Sequence, residues 1–303
     1  MAIILGRYIS LTSSQQRRSR LEQHLQKLGI EKRYRWFPAI RGNAEKAAAH
    51  GLLPGELGIW QSWLKLLQEE MTTTTSSYDW LHIVEDDAEL SHHFIAFCQQ
   101  LKEGAPQFDL LFTDMYVNPS IHRSFADEHQ RLKARGEIQL RTDIYTGCCA
   151  SVMIHRKRIP LVLSRLQECL RGRRSLLPLD NQLRRLFSER QLSFARTAPF
   201  LTGVQRDSIS DSTIQQRHQE HRSVVVTQQI CTILRRQLSV LDSNDATNEL
   251  ILLMHKLAQD CGQPSQVDLT QKISLQLMQL AEQQNLLRYS MQPRLKGEPN
   301  NLQ

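Results

Sequence analysis

Residues 80–90 read Trp-Leu-His-Ile-Val-Glu-Asp-Asp-Ala-Glu-Leu, and the reading of that stretch decides the fold. Residues 80–84 form a short, continuous apolar run, the pattern of a strand buried on both faces. His82 inside that run reads as a satisfied core histidine rather than a ligand. Three consecutive acids, Glu85, Asp86 and Asp87, follow without a spacer. Ionised carboxylates beside a buried strand are costly unless a cation or a donor offsets them. In open α/β sheets, ligands bind beyond the carboxyl ends of strands. Acids placed there suit a hard divalent ion bridging phosphate oxygens. The plainer alternative is an acidic turn that caps the next helix, and spacing alone leaves both open.

Outward from this stretch, strand-like and helix-like segments alternate over the first 210 residues or so. Strands are predicted at 3–11, 34–40, 110–113 and 149–154. One helix follows Ser13 and Ser14 to residue 28, with Leu21, Leu25 and Leu28 on one face and Gly29 closing it. Another opens at Pro54 and runs to about residue 70, ahead of a polar break at 72–77. Others begin at His92 and His93, near Ile159-Pro160, and over 181–187. This alternation predicts an α/β sandwich. From residue 212 the texture changes: glutamine becomes frequent, and three helices are expected at 224–241, 247–259 and 269–287, the last two separated by Gly262-Gln263-Pro264. The expected division is a catalytic domain over 1–211, a helical module over 212–291 and a disordered tail over 292–303. Ile273, Leu277 and Leu280 share a face of the third helix, so the module is expected to pack on itself and either dock on the first domain or mediate self-association. It shows no cluster of acids or glycines, and its removal is expected to leave the acidic site intact.

Hydrophobic residues make up 40% of the 303 residues, enough for a core without disulfide support. The six cysteines, Cys98, Cys148, Cys149, Cys169, Cys231 and Cys261, show no metal-ribbon spacing and are expected to be reduced. No apolar run reaches the roughly 18 residues that span a bilayer, and the first residues lack a secretory pattern. A cytoplasmic protein is expected. The formal charge of +7 suits a phosphorylated substrate or peripheral contact with the anionic inner membrane face. Basic clusters occur at 17–20, 156–158 and 171–174, but no aromatics interleave with them, so nucleic acid is not an expected partner.

Several segments together resemble glycosyltransferase family 25, which includes lipopolysaccharide and collagen galactosyltransferases. Residues 80–90 resemble its acidic motif. Tyr8-Ile9-Ser10-Leu11 with Arg17-Arg18 resembles its opening strand and arginine. Phe37-Pro38-Ala39-Ile40-Arg41-Gly42 resembles its alanine–glycine motif, and Leu53-Pro54-Gly55-Glu56-Leu57-Gly58 with Ser62 the segment before its Ser-His pair. Asp109 to Thr113, Thr146-Gly147 and Pro178-Leu179-Asp180 follow in the same order. The resemblance covers roughly residues 3 to 210.

It implies a GT-A-type fold, a UDP-sugar donor, usually Mn²⁺, and transfer of a hexose such as galactose or glucose to a hydroxyl of a glycan, a lipid-linked saccharide or a peptide. It places Glu85 and Asp87 on the metal, and Arg17, Asp86, Thr146 and Gly147 on the donor. Ser62 and Asp114 fall to acceptor or donor. Asp180 becomes the base that takes the acceptor proton. Each also has a plainer reading: Asp180 as a helix cap, Arg17 as a solvated first-turn arginine, Asp114 as a loop cap. Two positions depart from the family. Trp63 stands where it has histidine, and Arg41 where an acid is usual. A catalytically inactive binding or scaffold protein is therefore the alternative.

Overall fold

The computed structural model describes residues 2–73, 77–101, 103, 104, 106–171, 176–205 and 222–241. The helices expected at 247–259 and 269–287, the tail, Cys261 and the basic residues Arg173 and Arg174 lie outside the described residues. The chain divides into two compact units, Met1–Ala246 and Thr247–Gln303. The first unit includes the helix at Arg222–Leu238.

Strands β1 (Ile4–Ser10), β2 (Tyr34–Pro38), β3 (Trp80–Glu85), β5 (Leu110–Phe112), β6 (Gln139–Arg141), β7 (Ser151–His155) and β8 (Phe194–Ala198) build a seven-stranded sheet. Its order is β2-β1-β3-β7-β5-β8-β6. β1 is parallel to β2 and β3, and β5 to β8, while β7 runs antiparallel between β3 and β5 and β6 runs antiparallel at the edge. Two further strands, β4 (Ala88–Leu90) and β9 (Thr202–Val204), form a small antiparallel pair. The fold is mixed α/β, as the alternation predicts.

These directions gather one set of chain segments at one edge. The carboxyl ends of β1, β2, β3, β5 and β8 point the same way. The start of β7 lies at that edge because β7 runs in reverse. Residues 80–84 are all buried, so both faces of β3 are covered, as the apolar run requires. Helices α1 (Gln15–Lys27) and α4 (His92–Gln100) share a core with β1 and β3 through Leu21, Leu25, Phe94 and Phe97. Helix α3 (Pro54–Thr72) follows the short α2 (Ala44–Ala49) and packs against α6 (Ile159–Leu170) and α7 (Leu179–Ser188).

One row of the sheet shows why a glycine stands in β1. Gly6 is in register with Tyr34 on one side and His82 on the other. A methyl group at Gly6 would sit 2.2 Å from the Tyr34 ring. Without it, the ring crosses β1, and its hydroxyl meets His82 Nδ1 at 2.7 Å. His82 Nε2 meets Ser151 Oγ at 2.8 Å, and the chain continues through Thr113 to Thr202. The core histidine is thus satisfied on both nitrogens, which a buried imidazole requires.

Several elements were not visible in the sequence, among them the short α2, β4, β6 and β9 and the two described next. Helix α5 (Pro119–Arg135) buries His122, Phe125, His129 and Leu132, a face half made of histidine. Strand β8 buries Arg196 and Thr197. The last described helix, α8 (Arg222–Leu238), packs on α5. Its end is capped from outside: His129 Nδ1 donates to the Leu238 carbonyl at 2.7 Å, and Lys133 to that of Gln237 at 3.0 Å. Arg196 Nη1 donates to His129 Nε2 at 3.2 Å, which fixes the neutral tautomer.

Burial lowers the pKa of His82 to about 3 and those of His122 and His129 to about 4. In the unfolded chain each takes a proton near 6.5. Between those values the unfolded state binds more protons, so these groups make stability rise with pH there. Their contribution is complete at pH 7 and is lost as pH falls from 6.5 towards 4. Urea unfolding at pH 7 and pH 5 should show the loss, and His82→Gln should reduce the slope. Because the raised Glu85 carboxyl acts in the opposite direction over this window, the comparison with His82→Gln decides: an unchanged slope in that variant would contradict the burial of the ring.

Candidate active site

A cleft of about 420 Å³ opens at the carboxyl ends of β1, β2 and β3. This size falls within the range of small-molecule sites. Its lining brings together five of the residues singled out in the sequence: Arg17, Ser62, Glu85, Asp86 and Asp87. Arg41, the departure from the family pattern, is exposed on the same lining.

The opposite walls meet through two glycines. A methyl at Gly42 would lie 1.9 Å from the Pro54 carbonyl oxygen, and one at Gly58 2.6 Å from that of Ile40. The loop leaving β2 therefore lies directly on the first turns of α3. Ser62 locks it there, accepting from the Ile40 N–H at 2.9 Å and donating to the Gly58 carbonyl at 2.7 Å. Ser62 is fully buried, so in this structure its hydroxyl shapes the wall. Glu56 holds the start of α3 by accepting from the Leu53 N–H at 2.7 Å.

The acids line the opposite side. Arg17, from α1, pairs with Asp86 Oδ1 at 2.6 Å and with Asp87 Oδ2 at 2.9 Å. Ser10, the last residue of β1, donates to Asp86 Oδ2 at 2.7 Å. Asp87 Oδ1 is buried without a hydrogen-bond partner. Glu85 keeps some solvent contact through the cleft, yet its pKa is pushed up to about 8, first by burial and then by Asp87 and Asp86. Arg17 and Arg235 oppose that rise.

Arg235 is the residue that the sequence reading missed. It lies on α8, in the segment expected to hold no chemistry. Its guanidinium pairs with both carboxylate oxygens of Asp114, which follows β5 and is fully buried. It also donates to Cys148 Sγ at 3.1 Å. The expectation that removing residues beyond 212 leaves the site intact is therefore corrected: removal would strip the buried Asp114 carboxylate of its partner. The available signal was Arg235-Arg236 inside an apolar helical run, since arginines within such a run need buried acids. Arg236 pairs with Glu89.

Asp180, Thr146 and Gly147 form a second group, and Asp180 is not part of the cleft lining. Pro178 occupies the N-cap of α7, so Asp180 sits in the first turn and is not the cap. Its Oδ1 accepts from the Asn181 N–H at 2.8 Å. A methyl at Gly147 would lie 3.2 Å from Oδ2, so the carboxylate rests against the glycine. Arg184 Nη2 donates to the Thr146 carbonyl at 2.7 Å. Cys149, the residue between the two groups, has its thiol pKa raised well above normal by burial, with both Asp180 and Glu85 adding to the rise.

Glu85, Asp86, Asp87 and Asp114 face Arg17 and Arg235. With all four acids ionised, two negative charges are in excess. No group of three or more His, Cys, Asp or Glu is arranged to hold a metal ion among the described residues. Two carboxylates suffice for a divalent ion that takes its other ligands from water and substrate phosphate. The buried, unpartnered Asp87 Oδ1 and the desolvated Glu85 fit such an ion. Five cysteines are free among the described residues, and no helix there is long and apolar enough to cross a membrane.

No family model matches the chain. No curated protein matches it either. Among solved structures, it is similar to a glycosyltransferase involved in the glycosylation of the major capsid of PBCV-1, with a TM-score of 0.39, 6% identity, and coverage of 64% of this chain and 80% of that one.

The contact between the walls makes a direct prediction. Gly58→Ala should cost about 1–3 kcal/mol, the usual range for overpacking, and weaken ligand binding in the cleft. Gly104→Ala, with nothing within 4 Å of the added methyl, is the control. Equal melting temperatures for the two variants would refute the close approach.

Proposed function

We propose that this chain is a glycosyltransferase of GT-A type that moves a hexose, galactose or glucose, from a UDP-sugar to an acceptor hydroxyl with the help of a divalent cation, Mn²⁺ in the first instance. The acceptor is a glycan, a lipid-linked saccharide or a peptide. The observation that carries this reading is the composition of the cleft edge: an arginine and an excess of carboxylates at the carboxyl end of a parallel strand. Such an edge repels a diphosphate by itself and attracts it once a divalent ion is bound. The ion, held by Glu85 and Asp87, would offset the charge that builds on the leaving UDP.

The protein's own groups supply the rest. Arg17 offers a planar fork to phosphate oxygens, and Ser10 orients Asp86 beside it. Arg41 adds a cation at the mouth. Thr146 and Gly147 form the turn on which the Asp180 carboxylate rests. In this reading Oδ2 of Asp180, the oxygen not engaged by Asn181, accepts the proton of the acceptor hydroxyl as that oxygen attacks the anomeric carbon. In this reading the net charge of +7 supports contact with an anionic membrane face, and the C-terminal helices of residues 212–291 are the candidate for self-association.

A second reading, a sugar-nucleotide binder without turnover, has one observation in its favour. Trp63, at the family's histidine position, is fully buried, and its indole N–H has no hydrogen-bond partner. A donor screen separates the two: UDP release with Mn²⁺ supports the enzyme, while UDP binding without release supports the binder.

Within the enzyme reading, excess chelator or Asp87→Ala should remove most UDP release while the fold persists by circular dichroism. Undiminished turnover in either case would exclude the metal assignment. Asp180→Asn should lower kcat on the order of 10²-fold or more with little change in donor KM. Loss of donor binding instead would make Asp180 a donor contact.

A further inference from the structure

The turn that carries Gly147 is strained. Gly147 has φ +107° and Cys148 φ +89°, two consecutive residues in a region where a side chain is unfavourable. Backbone strain of this kind persists only where the surroundings over-determine it. Here the restraints can be counted. The Gly147 carbonyl accepts from the Tyr116 N–H at 3.1 Å, Thr146 Oγ1 donates to the Tyr116 carbonyl, and Arg184 holds the Thr146 carbonyl. At Cys148, the residue with the unfavourable side chain, two donors reach Sγ: the Ala150 N–H at 3.4 Å from within the turn, and the Arg235 guanidinium at 3.1 Å from outside it. Asp114 fixes that guanidinium from two sides. Tyr116 is tied to the same helix, its hydroxyl meeting Cys231 Sγ at 3.3 Å.

We propose that Arg235 is a positioning residue: from α8 it holds the Gly147–Cys148 turn in its left-handed conformation, and through Gly147 it fixes the Asp180 carboxylate. An arginine 55 residues beyond Asp180 in sequence thereby sets where the base stands. The role assigned to Asp180 rests on the proposed function; the coupling between Arg235 and the turn does not.

Three full-length variants test this. Arg235→Lys keeps a charge for Asp114 but lacks the fork that reaches Asp114 and Cys148 together. Cys148→Gly relieves the left-handed strain and removes Sγ. Cys148→Ser keeps an acceptor for the guanidinium. Arg235→Lys and Cys148→Gly should each lower kcat about 10-fold or more, since small misplacements of a reacting group are costly. Donor KM with Mn²⁺ should change less than kcat. Cys148→Gly should melt no lower than the wild type, and Cys148→Ser should recover most of the rate. Melting shifts of Arg235→Lys and Cys148→Gly should fail to add in the double variant. A Cys148→Gly protein with wild-type kcat, or additive shifts, overturns the inference. If the wild type releases no UDP from any UDP-sugar, the functional reading fails, and the melting cycle alone decides the coupling.

Discussion

Four carboxylates converge at one edge of the sheet, and the rest of the structure is arranged around their repulsion. β3 delivers Glu85, Asp86 and Asp87, and β5 delivers Asp114. Parallel strands send their carboxyl ends the same way, so the topology forces these acids together. Burial raises the cost of each charge. Arg17 from α1 and Arg235 from α8 offset part of it, and Ser10 adds a hydrogen bond to Asp86. The offset is incomplete, which is why the Glu85 carboxyl is held up to about 8. An edge tuned for stability alone would have neutral residues here, because a well-packed apolar group usually does as well as a buried ion pair.

Loop geometry at that edge depends on missing side chains. Gly42 and Gly58 let the β2 exit loop lie on α3, which gives the cleft its second wall. Gly6 does the same inside the sheet, opening the path for Tyr34 to reach His82. These three glycines are places of close approach, with no positive φ involved. Gly147 is different: it combines an unusual φ with contact to the Asp180 carboxylate. Both kinds of glycine lie in or beside the segments that carried the sequence resemblance.

The sequence made the parallel half of the fold legible. The apolar run at 80–84 and its acids, the capped helix before Gly29, and the Pro54 helix all rest on local signals, and all appear in the structure within a few residues. That Arg17, Glu85, Asp86 and Asp87 meet at one edge was also legible, because strand ends and helix starts fix where they project. What stayed hidden is whatever buries polarity. α5 uses His122 and His129 as core residues, so its apolar period is broken. β8 buries Arg196, which is satisfied by Glu128, Asp143 and His129 and stacks 4.6 Å over Phe125. Arg196 reads as surface until its partners are known, and those partners lie 53 to 68 positions away. Arg235 was missed for the same reason, with Asp114 121 positions away.

The two arginines of the acidic edge are not equivalent. Arg17 lines the cleft, and its side chain keeps 18% exposure. Its pairs with Asp86 and Asp87 lie nearer solvent than the Arg235 pair, so exchanging them for another anion costs less than breaking that one. Arg235 faces a carboxylate with no exposure at all. Releasing that pair would leave a buried charge uncompensated, a penalty of about 3–5 kcal/mol. One guanidinium is therefore placed where it can change partners, and the other where it holds the framework still. The division follows from depth. α1 approaches the edge at the cleft, whereas α8, capped by His129 and Lys133, brings its arginine to the buried acid behind β5.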